Sequence, residues 1–215
     1  MAKTTAPLLS FGASGQMGTS IVYSKWKGVP TARRYTTPAN PNSTEQQKTR
    51  GTFSYLMAVY KLLPAIAQAP WDAYISGKPL MNRNAFSMFN IPPLRGAADN
   101  SGFIGSPGNG GAIAPTTFAV ADAGGGTHHA SVTMGAPAVP AGWTITDSVA
   151  MALKTEASDT GTDYGSVAAA SGDDSGNVTL STGAGNWTVS GWFKFQKPDG
   201  SIAYGPSKTA TVTVA

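Results

Sequence analysis

Trp187-Thr188-Val189-Ser190-Gly191-Trp192-Phe193-Lys194-Phe195-Gln196, then Lys197-Pro198-Asp199-Gly200 and Ile202-Ala203-Tyr204, is the stretch on which the fold turns. Side chains of a strand alternate between two faces, so Trp187, Val189, Phe193 and Phe195 share one face and Ser190, Trp192 and Lys194 the other. The Pro-Asp-Gly sequence combines a preset φ, an Asx side chain and a residue that tolerates positive φ, so the two runs read as strands joined by a tight turn. Trp192, on the face expected to meet solvent, is a candidate protein contact. A covered edge or packing against a second layer is the competing explanation.

The same period extends to both sides. Val132 and Met134, Val149, Met151 and Leu153, Val178 and Leu180, and Val212 and Val214 alternate with small or polar residues from His128 onward. About seven short strands separated by Gly/Asp/Ser turns predict an antiparallel β-sandwich of immunoglobulin or fibronectin type III kind over 128–215, with a first strand at Thr116–Val120. The chain contains no cysteine, which selects the disulfide-free version and excludes thiolate catalysis and cysteine-based metal sites.

Residues 96–127 are rich in Gly and Pro and read as a linker. Before them, 43–95 reads as a small helical docking module. Ser43 with Gln46 three residues later has the form of a capping box, and Phe53, Leu56, Met57, Tyr60 and Leu63 recur at helical spacing up to Pro64. A second short helix is expected to start at Pro70, and a third, Ala85–Asn90, to end at Ile91-Pro92-Pro93. Residues 1–42 are broken by Val29-Pro30, Thr37-Pro38 and Asn40-Pro41, which exclude a helix. They read as an extended basic arm with one short strand, Thr19–Trp26. The predicted class is α+β, mainly β: arm, helical module and Ig-like sandwich.

Charge divides along the same line. Residues 1–100 hold eleven Lys/Arg against three acids, and residues 101–215 hold four Lys against eight acids, so the net +4 conceals a basic front and an acidic back. Such asymmetry bears on association rather than on the fold. The cations cluster with aromatics: Lys25, Lys27, Arg33, Arg34, Lys48 and Arg50 lie among Tyr23, Trp26 and Tyr35. Arg and aromatic side chains are the usual anchors of protein interfaces, and the same mixture suits single-stranded nucleic acid. The expected docking residues are Tyr23, Lys25, Trp26, Lys27, Arg33, Arg34, Tyr35 and Arg50, with Trp192 from the sandwich; a protein partner is preferred over nucleic acid.

Catalytic and metal motifs fail on their chemistry. Gly12, Gly15 and Gly18 are spaced like a phosphate loop but lack the Lys-Ser/Thr ending and a following helix, so they read as a turn. Gly172-Asp173-Asp174-Ser175-Gly176 resembles a serine-nucleophile loop without a triad and reads as a polar turn before Val178. His128 and His129 are adjacent on a strand, point to opposite faces and lack a third ligand. Asp159, Asp163, Asp173 and Asp174 match no calcium-loop spacing. Glu45, Asp72 and Asp99 are the only carboxylates of the front half and form no acid–base pair in sequence. The expectation is a non-enzyme without cofactor or metal. A signal-peptide core and a membrane-length apolar run are both lacking, so no membrane association is expected.

Ser24-Lys-Trp-Lys-Gly-Val-Pro-Thr-Ala-Arg33, Pro38-Ala-Asn-Pro-Asn-Ser-Thr-Glu-Gln-Gln47, Arg50 and Asn82-Arg-Asn-Ala-Phe86 resemble a family of proteins encoded in tailed bacteriophages and prophages. The likeness spans roughly residues 8–90 and rests on Trp-x-Gly-x-Pro and Asn-Pro-x-(Ser/Thr)-x-x-Gln elements. The sandwich resembles Ig-like modules appended to virion proteins, an analogy of fold. The resemblance implies a virion structural protein made in the host cytoplasm, with a capsid decoration or cement role ahead of a tail, neck or baseplate role. Implied partners are the major capsid protein or other virion proteins, and further copies of the chain as a homo-oligomer within the particle. A nucleic-acid-binding protein is the alternative of another class.

Overall fold

The computed structural model describes residues 2–3, 14–26, 29–37, 39, 41–97, 99–124, 128–154 and 167–215. The chain divides into two compact units, Met1–Asn42 and Ser43–Ala215.

The first unit is a four-stranded antiparallel sheet. Strands β1 (Ala2–Lys3), β2 (Gly15–Met17), β3 (Ile21–Trp26) and β4 (Val29–Arg34) lie in the order β1-β4-β3-β2. Ile21-Val22-Tyr23 supplies β-branched and aromatic residues suited to a pleated surface. Met17 pairs with Ile21, leaving Gly18-Thr19-Ser20 as the turn, with Gly18 at φ +58°. Among the described residues no atom lies within 4 Å of a Cβ built there, and its positive φ is the reason for glycine. Pro30 pairs with Lys25 and, among the described residues, has no strand partner on its other side, a position where a residue without an N–H is tolerated. The expected boundary at residue 42 coincides with the division. The expected extended arm does not: the stretch is a paired sheet, because β3 finds partners on both sides.

The second unit has three layers. Helices α1 (Thr44–Leu62), α2 (Ala65–Ile75) and α3 (Asn82–Leu94) form the first. Strands β5 (Phe118–Asp122), β6 (His129–Met134), β7 (Thr144–Lys154), β8 (Val167–Gly172), β9 (Asn177–Ser181), β10 (Gly185–Gln196), β11 (Ile202–Tyr204) and β12 (Lys208–Val214) form two antiparallel sheets. One has the order β5-β6-β9, and the other β8-β7-β10 with both β11 and β12 on the far edge of β10. Three strands facing four, the last broken in two, is the arrangement of the fibronectin type III-like sandwich. The turn at 197–200 joins β10 to β11, with the Gly200 N–H donating to the Lys197 carbonyl, as its sequence requires.

Both faces of β10 are buried, each against a different layer. Trp187, Val189, Phe193 and Phe195 enter the core between the sheets with Ala130, Val132, Met134, Val178 and Leu180. Trp192, with Val149, Met151 and Leu153 from β7, enters the core beneath the helices, among Leu56, Trp71, Phe86 and Phe103. Each large apolar side chain removed from water contributes about 1.5–3 kcal/mol, so the covered outer face is a major part of the unit's stability. The expected separation of helical module, linker and sandwich is therefore corrected. An outer sheet face that carries Trp192, Val149, Met151 and Leu153 needs a cover, and the helices provide it.

The expected linker is the strap that fastens the two layers. Asn90 of α3 donates to the Ile104 carbonyl (3.1 Å) and accepts from the Ile104 N–H (2.7 Å). Asn100 donates to Tyr55 Oη at 2.6 Å and to the Lys154 carbonyl at 3.1 Å. Phe103 is buried, its ring centroid 5.7 Å from that of Phe86.

Helix bounds differ from expectation in instructive ways. Ser43 caps α1 by accepting from the Gln46 N–H at 3.4 Å, but the reciprocal half of the capping box is missing, since the Gln46 side-chain oxygen has no partner among the described residues. Helix α2 starts at Ala65, with Pro64 as its cap, and carries Pro70 inside it; burial of Ala67, Pro70 and Trp71 offsets the lost backbone bond. Helix α3 starts at Asn82 and runs through Pro92 and Pro93 to Leu94.

Candidate docking surface

The register of β3 and β4 sorts the expected docking residues. Ile21 pairs with Arg34, Val22 with Arg33, Tyr23 with Ala32, Ser24 with Thr31 and Lys25 with Pro30. Paired residues share a face, so Tyr23, Lys25 and Arg34 lie on one side of the hairpin and Arg33 lies on the other, beside Val22. Lys25, Arg33 and Arg34 are exposed, and Tyr23 and Tyr35 are half-buried. Tyr35 follows β4, its N–H donating to the Ser20 carbonyl at 2.8 Å. Trp26 closes β3 opposite Val29. Lys27 lies outside the described residues, as do Gly12, Asp159 and Asp163.

This sheet has little interior. Among the described residues of the unit only Thr31 is buried, its hydroxyl 3.0 Å from both the Ser24 hydroxyl and the Ser24 carbonyl. Residues 1–42 contain five Lys/Arg and no acid. The surface offers planar and point cations beside aromatic rings, suited to carboxylate or phosphate groups.

Two expected contacts belong to the second unit. Trp192 is corrected outright: it is 0% exposed, enclosed by the helical layer, and not available for docking. Arg50 is exposed on α1. It lines a groove of about 400 Å³ with Glu45, Gln46, Thr49 and Arg95. Arg95, the C-cap of α3, was not singled out from the sequence; only its place after Pro92-Pro93, at the end of a helix, hinted at it. Lys48 is engaged with Glu45 at 3.2 Å.

Two acids of the back half build turns. Asp173 accepts from the Ser175 hydroxyl and N–H, and Asp199 likewise from Ser201, which holds both carboxyls below the usual range. His128 sits at φ 51° with Nδ1 2.9 Å from the Ala215 carbonyl oxygen, while His129 lies within β6 opposite Ser181. Among the described residues no three His, Cys, Asp or Glu stand together to hold a metal ion, and no helix is long and apolar enough to cross a membrane. In comparisons with known proteins, no family model and no curated protein matches the chain.

Proposed function

We propose that this chain is a non-enzymatic structural protein of a bacteriophage particle, a capsid decoration or cement protein that docks through its basic N-terminal half. The observation that carries the docking is the first unit itself: a four-stranded sheet with five Lys/Arg, no acid and one buried residue among those described. A sheet with so little core gains its stability from what it covers. The partner is the major capsid protein or another virion protein, and many copies of a weak contact give firm attachment to a shell. The likeness to phage-encoded proteins supports this reading, and its Trp-x-Gly-x-Pro element spans the end of the β3–β4 hairpin, where Trp26 pairs with Val29.

Particles assembled with the Lys25→Ala/Arg34→Ala variant test it. Incorporation should fall sharply while the fold of the second unit is unchanged; undiminished incorporation sinks the reading. Copy number in purified particles separates a shell protein from a tail, neck or baseplate component. The excess of cations over acids also favours a second reading, binding of single-stranded nucleic acid. That reading requires affinity for an oligonucleotide to fall steeply with salt.

A further inference from the structure

We propose that the seam between the end of α2 and the strap carries a binding site for a small organic oxyanion, a molecule bearing a phosphate or carboxylate group. The site lies wholly within the second unit and stands whether or not the β3–β4 hairpin docks.

The seam holds a cavity of about 530 Å³, a size that suits a small molecule rather than a bare ion. Tyr74, Ser76 and Lys78 line it from the helical layer and Asn109, Gly110 and Gly111 from the strap, and none of the described lining residues is acidic. The Lys78 ammonium stands 3.3 Å from the centre of the Tyr74 ring, over its face, a contact that holds a flexible cation in one place. No carboxylate pairs with Lys78 among the described residues, so its charge is left for a ligand. A second ammonium, that of Lys197, lies 2.7 Å from where a Cβ on Gly110 would stand, although Asp199 shares its field. Lys78 is therefore the principal charge of the cavity.

Asn109 narrows the ligand. Its N–H donates to the Tyr204 carbonyl at 2.9 Å, and its Oδ1 accepts from the Tyr204 N–H at 2.6 Å. The acceptor end of the amide is thereby used, and Nδ2, without a partner among the described residues, is left as a donor. The turn that follows is closed by the Ala112 N–H donating to the Asn109 carbonyl at 3.1 Å, over Gly110 at φ +61° and Gly111 at φ +83°. The N–H groups of these two glycines have no partner among the described residues either. Lys78 and Asn109 thus offer donors alone, and the Ser76 and Tyr74 hydroxyls can donate as well, which is the chemistry that receives an oxyanion. A loop pinned to β11 by two bonds is ordered before a ligand arrives, so little ordering cost falls on binding. Pro107, Pro206 and Ala112 line the rest and leave room for a compact organic body behind the charged group.

Amide proton–nitrogen correlation spectra of the full chain test the site, with glucose phosphate, glucuronate and neutral glucose as probes at matched ionic strength. One or both anions should give saturable shifts at Ser76, Lys78, the Asn109 side-chain amide, Gly110 and Gly111, with a Kd in about the millimolar range, and glucose should not. Saturation by glucose phosphate alone identifies a phosphate ligand, and by glucuronate alone a carboxylate one. Lys78→Gln should weaken binding about fivefold or more. Asn109→Asp keeps an acceptor for the Tyr204 N–H but turns negative charge toward the cavity, so affinity should fall about tenfold or more. Should Asn109→Asp also lower the urea midpoint, Lys78→Gln decides alone, since Lys78 is exposed. Lys25→Ala/Arg34→Ala should leave these affinities as they are. The proposal is overturned if neither anion saturates, if glucose moves the same resonances equally, or if Lys78→Gln binds within a factor of about two of the wild type.

Discussion

Trp192 Cζ3 lies 2.7 Å from the position that a Cβ on Gly105 would occupy. Gly105 belongs to the strap and Trp192 to the centre of the five-stranded sheet, so one missing carbon lets the helical layer close on the sandwich. The constraint is volume, because Gly105 does not occupy the left-handed region. Gly105→Ala should cost about 1–3 kcal/mol through overpacking. Adding Trp192→Phe should give a double variant less destabilised than the sum of the singles, since the smaller ring vacates the contested space. Urea denaturation of the four proteins decides it, and strict additivity would refute the contact.

Asn90 closes the same strap by acting as a piece of backbone. Its amide satisfies both the N–H and the carbonyl of Ile104 and also donates to the Phe86 carbonyl at 3.1 Å. Asn90→Ala removes the partner of both the Ile104 N–H and the Ile104 carbonyl, at about 2–3 kcal/mol, while the Phe86 carbonyl keeps its helical bond. Asn90→Asp keeps the shape but turns a carboxylate toward two carbonyls, so it should destabilise at neutral pH and recover in part on acidification. Equal loss at both pH values would count against the proposed geometry.

The sandwich should fail without its helices. A fragment of residues 112–215 bares Val149, Met151, Leu153 and Trp192 on one sheet face, an apolar patch of the kind that drives aggregation. Residues 43–215 should unfold in a single urea transition as a soluble species. A monomeric, cooperatively folding 112–215 would show that the helical layer is an accessory rather than half of the core.

Much of this was legible in strand periodicity. The face assignment of Trp187, Val189, Phe193 and Phe195 follows from period two and matches the inter-sheet core. What a single strand cannot show is which face lacks solvent: Trp192 looked like a contact because nothing near it in sequence announces the helices that cover it. The strap was hidden by its composition. Gly, Pro and Asn mark flexible linkers when their polar groups meet water, yet here Asn100 and Ser106 are 0% exposed and bonded within the fold. Phe103-Ile104 was the available signal, an apolar pair that a free linker does not need. Of the expected α1 stripe, Leu56 and Leu63 are buried and Tyr60 packs against the core, but Phe53 is not part of it. Thr52, Tyr55, Leu56 and Val59 are buried, while Phe53 is exposed, because α1 faces the common core rather than a partner of its own.

The hairpin's two sides predict unequal roles for adjacent arginines. Arg34 stands with Tyr23 and Lys25, whereas Arg33 stands with Val22 and the Ser24–Thr31 pair. If the Tyr23–Lys25–Arg34 side meets the partner, Arg34→Ala should weaken incorporation into particles by about tenfold and Arg33→Ala far less. Quantified copies per particle check this, and the reverse order would place the contact on the other side of the sheet.

Tyr60 gives the fold an alkaline limit. Burial raises its phenol above the usual range, the charge of Asp72 adds to this, and Arg83 opposes it. The hydroxyl has no hydrogen-bond partner among the described residues, so nothing compensates its ionisation. With the folded value above the unfolded one, both states are protonated at neutral pH and the group contributes nothing there. Above about pH 10 the unfolded chain releases the proton while the folded chain retains it, so stability falls as pH rises. Tyr204 is raised in the same direction, also by burial first, so Tyr60→Phe removes only part of the slope. That variant keeps the ring contact with Phe86, centroids 5.3 Å apart, and discards an unsatisfied hydroxyl. It should match or exceed the wild type at neutral pH by about 0–1 kcal/mol and lose stability less steeply above pH 10. Urea midpoints on both sides of pH 10 measure the two effects. A loss at neutral pH would mean that the hydroxyl has a partner after all, and an unchanged slope would transfer the alkaline limit to Tyr204 alone.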